Sequence, residues 1–189
     1  GRRLKAYQRD QVLALGIEKM FWTFDPLQSR NAHLNITRLG AVVREYRVDM
    51  YGQTDSPLHR GIGTDRFVPL WQLSTQRVEG RVTDDPAHAF DPSAIDRKSV
   101  GVALAASDAR DDRSHPEAVD LTLGDDWVSV AIPADISRLM AEDLELAQAW
   151  RVATRKALTH YMGIGYEVRE FVRGRPASRY LLARVREDR

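Results

Sequence analysis

The sequence predicts a mixed α/β (α+β) domain, a mixed sheet flanked by helices, and three observations carry that expectation. Apolar residues keep helical spacing over about residues 2–15. Ile17 to Phe24 is crowded with aromatic and β-branched side chains at both parities, as a strand covered on both faces requires. A long helical stripe from Ile136 to Tyr161 stands between two hairpin patterns.

The elements follow in order. Leu4, Tyr7, Val12 and Leu15 mark a helix over 2–15 that Gly16 is placed to close. The strand over 17–24 stops at Asp25-Pro26, and Pro26 can open a second helix running to Leu39, with Gly40 at its end. Helices 2–15 and 26–39 are then expected on opposite faces of the sheet, or flanking Phe21. Val42, Tyr46, Val48 and Met50 alternate with Arg47 and Asp49, a strand with one wetter side that ends at Gly52. A long loop with Pro57, Gly61 and Gly63 leads to a strand over 67–73, where Pro69 points to an edge or a bulge. Residues 74–117 show weak periodicity and an acidic excess and read as a connector with one short strand at most. Ala118–Leu123 and Trp127–Ile132 read as a hairpin turning at Gly124-Asp125-Asp126. After Pro133 comes one long amphipathic helix, ended by Gly163 and Gly165. Tyr166–Val172 and Tyr180–Val185 make a closing hairpin around Gly174-Arg175-Pro176. The organisation expected is therefore 1–75, an irregular acidic connector over 76–117, and a β-α-β region over 118–189.

Composition narrows function. With 28 basic and 27 acidic residues among 189, no global field draws the chain to nucleic acid or an anionic membrane, so any anion site has to be local. The absence of cysteine removes disulfides, thiolate catalysis and thiolate metal sites, and it fits a reducing cytoplasm, the location expected. No apolar run approaches the roughly 20 residues that span a bilayer. The five histidines show no metal-ligand spacing, and no metal is expected.

Gly1-Arg2-Arg3-Leu4-Lys5 opens the first helix, and a helix opening with glycine and nearby cations suits a phosphate. The ordinary reading is a solvated basic helix end. Between the two strands, 57–66 holds His59, Asp65 and Arg66, which suit substrate binding on a long loop or, equally, a surface ion pair on a flexible turn.

The run Gly1-Arg2-Arg3-Leu4-Lys5, Trp22-Thr23-Phe24-Asp25-Pro26-Leu27, Asn31-Ala32-His33-Leu34-Asn35 and Gly63-Thr64-Asp65-Arg66-Phe67 resembles the GNAT acetyltransferase superfamily, and within it a sparsely characterised group of predicted acetyltransferases. The likeness covers residues 1 to about 75, and Trp150-Arg151-Val152-Ala153-Thr154-Arg155 resembles the same group. It implies a GNAT-like mixed sheet, with 1–75 as the C-terminal half of an acyl-CoA-binding domain. Gly1 would be the last glycine of a coenzyme A pyrophosphate loop, Arg2 and Arg3 would support the phosphates, and Asn31 would meet the pantetheine arm. Early strands and the start of that loop would precede Gly1. The chain alone would then lack one side of the cleft, keep an unpaired sheet edge, self-associate and transfer no acetyl group.

The chain also departs from the superfamily. Where its enzymes carry a tyrosine that protonates the departing thiolate, Ile36 stands here, and Asn31 is two residues out of register with Gly40. His33 and Tyr51 are the candidate replacement acids. The function expected is acyl-CoA-dependent N-acyl transfer, acetyl-CoA being the first co-substrate to consider and a small-molecule amine the acceptor. The alternative is a non-catalytic acyl-CoA-binding or dimerisation module; a homo-oligomer fits either. Nucleic-acid binding is weakest, because acids balance the arginines along the chain.

Overall fold

The computed structural model describes residues 2–52, 61–83, 85–91, 99–107 and 113–185. In chain order the elements are α1 (Arg2–Ala14), β1 (Lys19–Phe21), α2 (Ser29–Ala32), which continues as a π-helical stretch (His33–Arg38), β2 (Val42–Arg47), β3 (Arg66–Gln72), α3 (Gln76–Thr83), β4 (Val100–Leu104), β5 (Trp127–Pro133), α4 (Ile136–Glu142), α5 (Leu144–Gly163), β6 (Tyr166–Val172) and β7 (Ala177–Arg184). The strands join into one seven-stranded mixed sheet of order β1-β3-β2-β6-β7-β5-β4. Every pair is antiparallel except β4 with β5. The N-terminal and C-terminal stretches meet where Val43 of β2 faces Val168 of β6. No helix among the described residues is long and apolar enough to cross a membrane.

Two apolar clusters hold the helices to this sheet. In the larger, Trp150, Leu158 and Tyr161 of α5 pack against Val43, Val130, Val168 and Leu182 of the strands. In the smaller, Leu39, Trp71, Leu73 and Val78 are joined by Ala6, Val12 and Leu13 of α1 and by Leu34. Burying a large side chain of this kind contributes about 1.5–3 kcal/mol before entropy is counted.

Several expectations are corrected. Residues 17–24 do not form a central strand: β1 has three residues, lies at the edge of the sheet, and leaves Phe21 60% exposed. The charges of Glu18 and Lys19 suit an edge, and the backbone leaves the ladder at Trp22 before a single bridge from Phe24 to Phe67. Helix α1 packs into the smaller cluster, which Leu34 of the π-helical stretch joins, whereas Ala32 of α2 and Ile36 lie in the larger one; Phe21, exposed at the sheet edge, is not flanked by the two helices. The α1 stripe is shifted: Leu4, Tyr7 and Leu15 are exposed. Pro26 lies in a turn stabilised by the Asp25 carboxylate, which accepts from Leu27 N–H at 2.8 Å, so the helix starts at Ser29.

Strand β3 is interior rather than an edge, and Pro69 meets the other alternative, sitting opposite a bulge in β2 between Val43 and Glu45. The connector contains helix α3, whose Arg77 and Arg81 reach Glu170 of β6 at 2.6 and 2.9 Å. No hairpin joins 118–123 to β5. Asp120 is occupied in a local turn, its carboxylate accepting from Thr122 N–H at 2.8 Å and its carbonyl from the Tyr161 hydroxyl, and β5 pairs with β4 and β7. The long helix is two helices, broken at Asp143, whose carboxylate caps α5 by accepting from Leu146 N–H at 3.0 Å.

Candidate functional site

An open cleft of about 560 Å³ lies at the C-terminal end of β1, walled by Phe21, Trp22, Val48, Met50 and Val68, with Glu45 and Arg47 at one side. Its position follows from the backbone. Leaving the ladder early, β1 sends Trp22 and Thr23 past the end of β2, where the chain turns over Val48–Tyr51. The Tyr51 hydroxyl lies 2.8 Å from Thr23 Oγ1, and the Arg66 guanidinium stands 5.0 Å from the centre of the Tyr51 ring. Thus Tyr51 is 56% exposed yet fixed at both ends.

The turn carrying Tyr51 is held by a clasp of charges. Asp49 has a left-handed φ of 45°, which costs a non-glycine residue of order 1–3 kcal/mol unless its surroundings impose it. They do so here: Asp49 N–H donates to Asp65 Oδ1 at 3.0 Å, and Asp49 Oδ1 accepts from Thr64 N–H at 3.1 Å. Tyr51 N–H donates to Thr64 Oγ1 at 3.1 Å. From α5, Arg155 reaches Asp65 at 2.6 Å and 2.9 Å and Asp49 at 3.0 Å. Gly63 completes the clasp; it has φ +75°, and a Cβ there would stand 2.5 Å from Asp49 Oδ1.

Asp65 is fully buried. Desolvation pushes its pKa up, but hydrogen bonds from Arg155, the Tyr46 hydroxyl and Asp49 N–H outweigh it and hold the carboxylate below its ordinary value. Burial and the neighbouring Asp65 charge push the Tyr46 hydroxyl far up. Asp65 is therefore held anionic and Tyr46 protonated, and neither exchanges a proton near neutral pH. The Thr23 hydroxyl lines the cleft, and the Tyr51 hydroxyl lies 2.8 Å from it.

Deeper in, Asp25 accepts from Arg151 Nη2 at 2.6 and 2.8 Å, and Arg151 Nε donates to the Ile62 carbonyl at 2.9 Å. Arg66 lies 3.6 Å from the same carboxylate. This second layer ties the residues after β1 to α5 and to the start of β3. Removing one partner of such a buried pair costs about 3–5 kcal/mol, because the other charge is left uncompensated.

The structure brings Tyr51, Asp65 and Arg66 together, and it makes Asp65-Arg66 a buried network rather than a surface ion pair on a flexible turn. His33 and Asn31 do not join them. His33 sits on the π-helical stretch, where burial, then the charges of Arg173 and Arg38, push its pKa down; Asn31 is exposed one turn earlier. Ile36 is fully buried in the larger cluster, so the position that the resemblance gives to a general acid is a core position. Arg3 is exposed at the opening of α1, while Gly1, the side chain of Arg2 and His59 lie outside the described residues.

Sequence reading missed Asp49 and the placement of Thr23, and it gave Arg155 no partner. Arg151 and Arg155 were already marked by the Trp150–Arg155 likeness. In the first turn of α1, Lys5 Nζ lies 4.5 Å from the centre of the Trp22 ring. Compared with known proteins, the chain matches no family model, no curated protein and no solved structure.

Proposed function

We propose that the protein is an acyl-CoA-dependent N-acyltransferase that transfers an acetyl or other acyl group to an amine by direct attack. The observation that carries this reading is the contact of Lys5 with Trp22. Through it, the opening of α1 reaches Trp22, which lines the same cleft as Thr23, and the Tyr51 hydroxyl lies 2.8 Å from Thr23 Oγ1. A helix opening suits a pyrophosphate through its free N–H groups, and an adjoining cleft with an exposed phenol suits the reacting end of the same molecule.

Acyl-CoA supplies the thioester carbonyl and the thiolate leaving group. In this reading the main chain at the opening of α1 binds the pyrophosphate, with Arg3 in charge-assisted support. Phe21, Val48 and Val68 exclude water from one side of the reacting groups. The amine nitrogen forms its bond to the carbonyl carbon as the carbon–sulfur bond breaks. Tyr51 donates its hydroxyl proton to the sulfur and regains one from solvent, to which the amine releases its own. The clasp of Asp49, Asp65 and Arg155 holds Tyr51 in place for this step.

Thiol release from acetyl-CoA with a panel of amines tests the reading. Against the inactivity that the resemblance implies for the chain alone, the wild-type protein is expected to release thiol with at least one amine, and Tyr51→Phe to lower kcat about 100-fold with little change in the KM for acetyl-CoA. A non-catalytic acyl-CoA-binding module, which the burial of Ile36 favours, would bind acetyl-CoA and release thiol with none of the amines.

A further inference from the structure

The chain-wide charge balance is not kept locally at the other end of the sheet. On β5, the alternation of side chains along the strand puts Ser129 and Ala131, each 7% exposed, on the face opposite Val130 and Ile132. There Ala131 lies in register with Arg179 of β7, and Arg179 with Val172 of β6. An open cavity of about 470 Å³ covers this face. Its floor is made of small side chains, Ser129, Ala131 and Ala177, and Leu104 at the end of β4 with Ala105 and Ala106 after it form one wall. Arg173, Arg175 and Arg179 line it as well, and none of its lining residues is acidic.

Other arginines on the sheet and on α3 beside it meet carboxylates, Arg184 of β7 excepted, which donates to the Gly124 carbonyl and the Tyr166 hydroxyl. Glu167 pairs with Arg44 and Arg169, and Glu170 with Arg77 and Arg81. Arg173, Arg175 and Arg179, all exposed, pair with no carboxylate among the described residues. Cations around a concavity that holds no counter-charge raise its affinity for an anion, and a guanidinium binds carboxylate or phosphate oxygens in pairs. The floor beneath them offers shallow apolar contact, the Ser129 hydroxyl there donating to the Gly101 carbonyl at 3.3 Å. No aromatic side chain lines the cavity, which removes the stacking platform that a single-stranded nucleic acid uses. The volume lies within the roughly 300–1,000 Å³ typical of small-molecule sites.

We infer that this cavity is a binding site for a small organic anion, an oxyanion headgroup held by Arg173, Arg175 and Arg179 with a short apolar body lying on Ala131, Ala177 and Leu104. The site is separate from the cleft at β1 and does not depend on acyl transfer. Carboxylate and phosphate monoester share the recognised chemistry, and the test distinguishes them.

Calorimetric titration of the protein with octanoate and with octyl phosphate, beside 1-octanol, octylamine and inorganic phosphate, measures it directly. At least one octyl anion is expected to bind at least tenfold more tightly than octanol, octylamine and inorganic phosphate, and the preferred anion names the headgroup. The triple variant R173Q/R175Q/R179Q, whose three positions are exposed, is expected to keep the wild-type circular dichroism and to lose at least tenfold in that affinity. Equal affinity for the four octyl compounds, unchanged affinity in the triple variant, or no binding of either anion would overturn the assignment. So would a single-stranded oligonucleotide that displaces octyl phosphate and binds more tightly than it does, because the face would then serve a polyanion.

Discussion

Asp65 shows how one buried charge can organise a functional loop. Its two oxygens take hydrogen bonds from Tyr46, Arg155 and Asp49 N–H, and those bonds hold its pKa below the ordinary 3.8 against the opposing effect of desolvation. A carboxyl whose pKa is lower folded than unfolded stabilises the fold above its unfolded value, and the contribution disappears as pH falls through the folded value. Asp65→Asn is therefore expected to cost about 3–5 kcal/mol at neutral pH. In urea titrations that difference stays constant from about pH 8 to pH 5 and shrinks below about pH 4. A cost that did not vary with pH would mean that shape, not charge, holds the clasp. Of this network, Asp65 and Arg66 were legible in the sequence as charged residues near glycines on a long loop, and Tyr51 as a candidate acid at the end of a strand. The clasp was not: Asp49 read as the wet face of a strand, and Arg155, marked only by the Trp150–Arg155 likeness, stands 90 residues from the carboxylate it binds. Only the folded chain brings them together.

At the level of elements, the sequence was most informative where period and punctuation agreed. The closing hairpin β6–β7 and the stop at Gly40 are of this kind, whereas α1 was legible in its extent but not in its buried face, Leu4, Tyr7 and Leu15 being exposed. It was least informative where tertiary partners decide. Helix α3 carries an interior glycine and three β-branched residues, a weak helix by propensity, and is held by Val78 and Val82 in the smaller cluster and by Arg77 and Arg81 on Glu170. The π-helical stretch His33–Arg38 gives no local signal, and its wider turn changes the spacing between Asn31 and Gly40 that an α-helix would impose. Gly40 ends that stretch with φ +74°, and a Cβ there would stand 3.1 Å from the Arg77 carbonyl oxygen and 3.3 Å from Val78 Cα. Gly40→Ala is expected to cost about 1–3 kcal/mol in a urea unfolding midpoint. Gly124→Ala, with open space around it, is expected to stay within about 0.5 kcal/mol of wild type. Similar effects at the two positions would show that the junction of α2 with α3 tolerates the shift.

For the whole molecule, the fold class was readable but the topology was only partly so. A period-2 pattern identifies a strand without naming its neighbour, which is why β5 was assigned to a hairpin with 118–123 rather than to β4 and β7. One seven-stranded sheet places two open sites at opposite ends, the cleft beside α1 and the arginine-lined cavity on β5–β7. The central claim is that the opening of α1 and the Tyr51 cleft together hold one acyl-CoA. Calorimetric titration of acetyl-CoA into the wild-type protein, Arg3→Glu and Arg30→Glu tests it most directly, since both arginines are exposed and only Arg3 lies at the helix opening. The account predicts saturable binding to wild type, affinity at least tenfold weaker in Arg3→Glu, and no change in Arg30→Glu. No binding to wild type, or equal losses in the two variants, would contradict it.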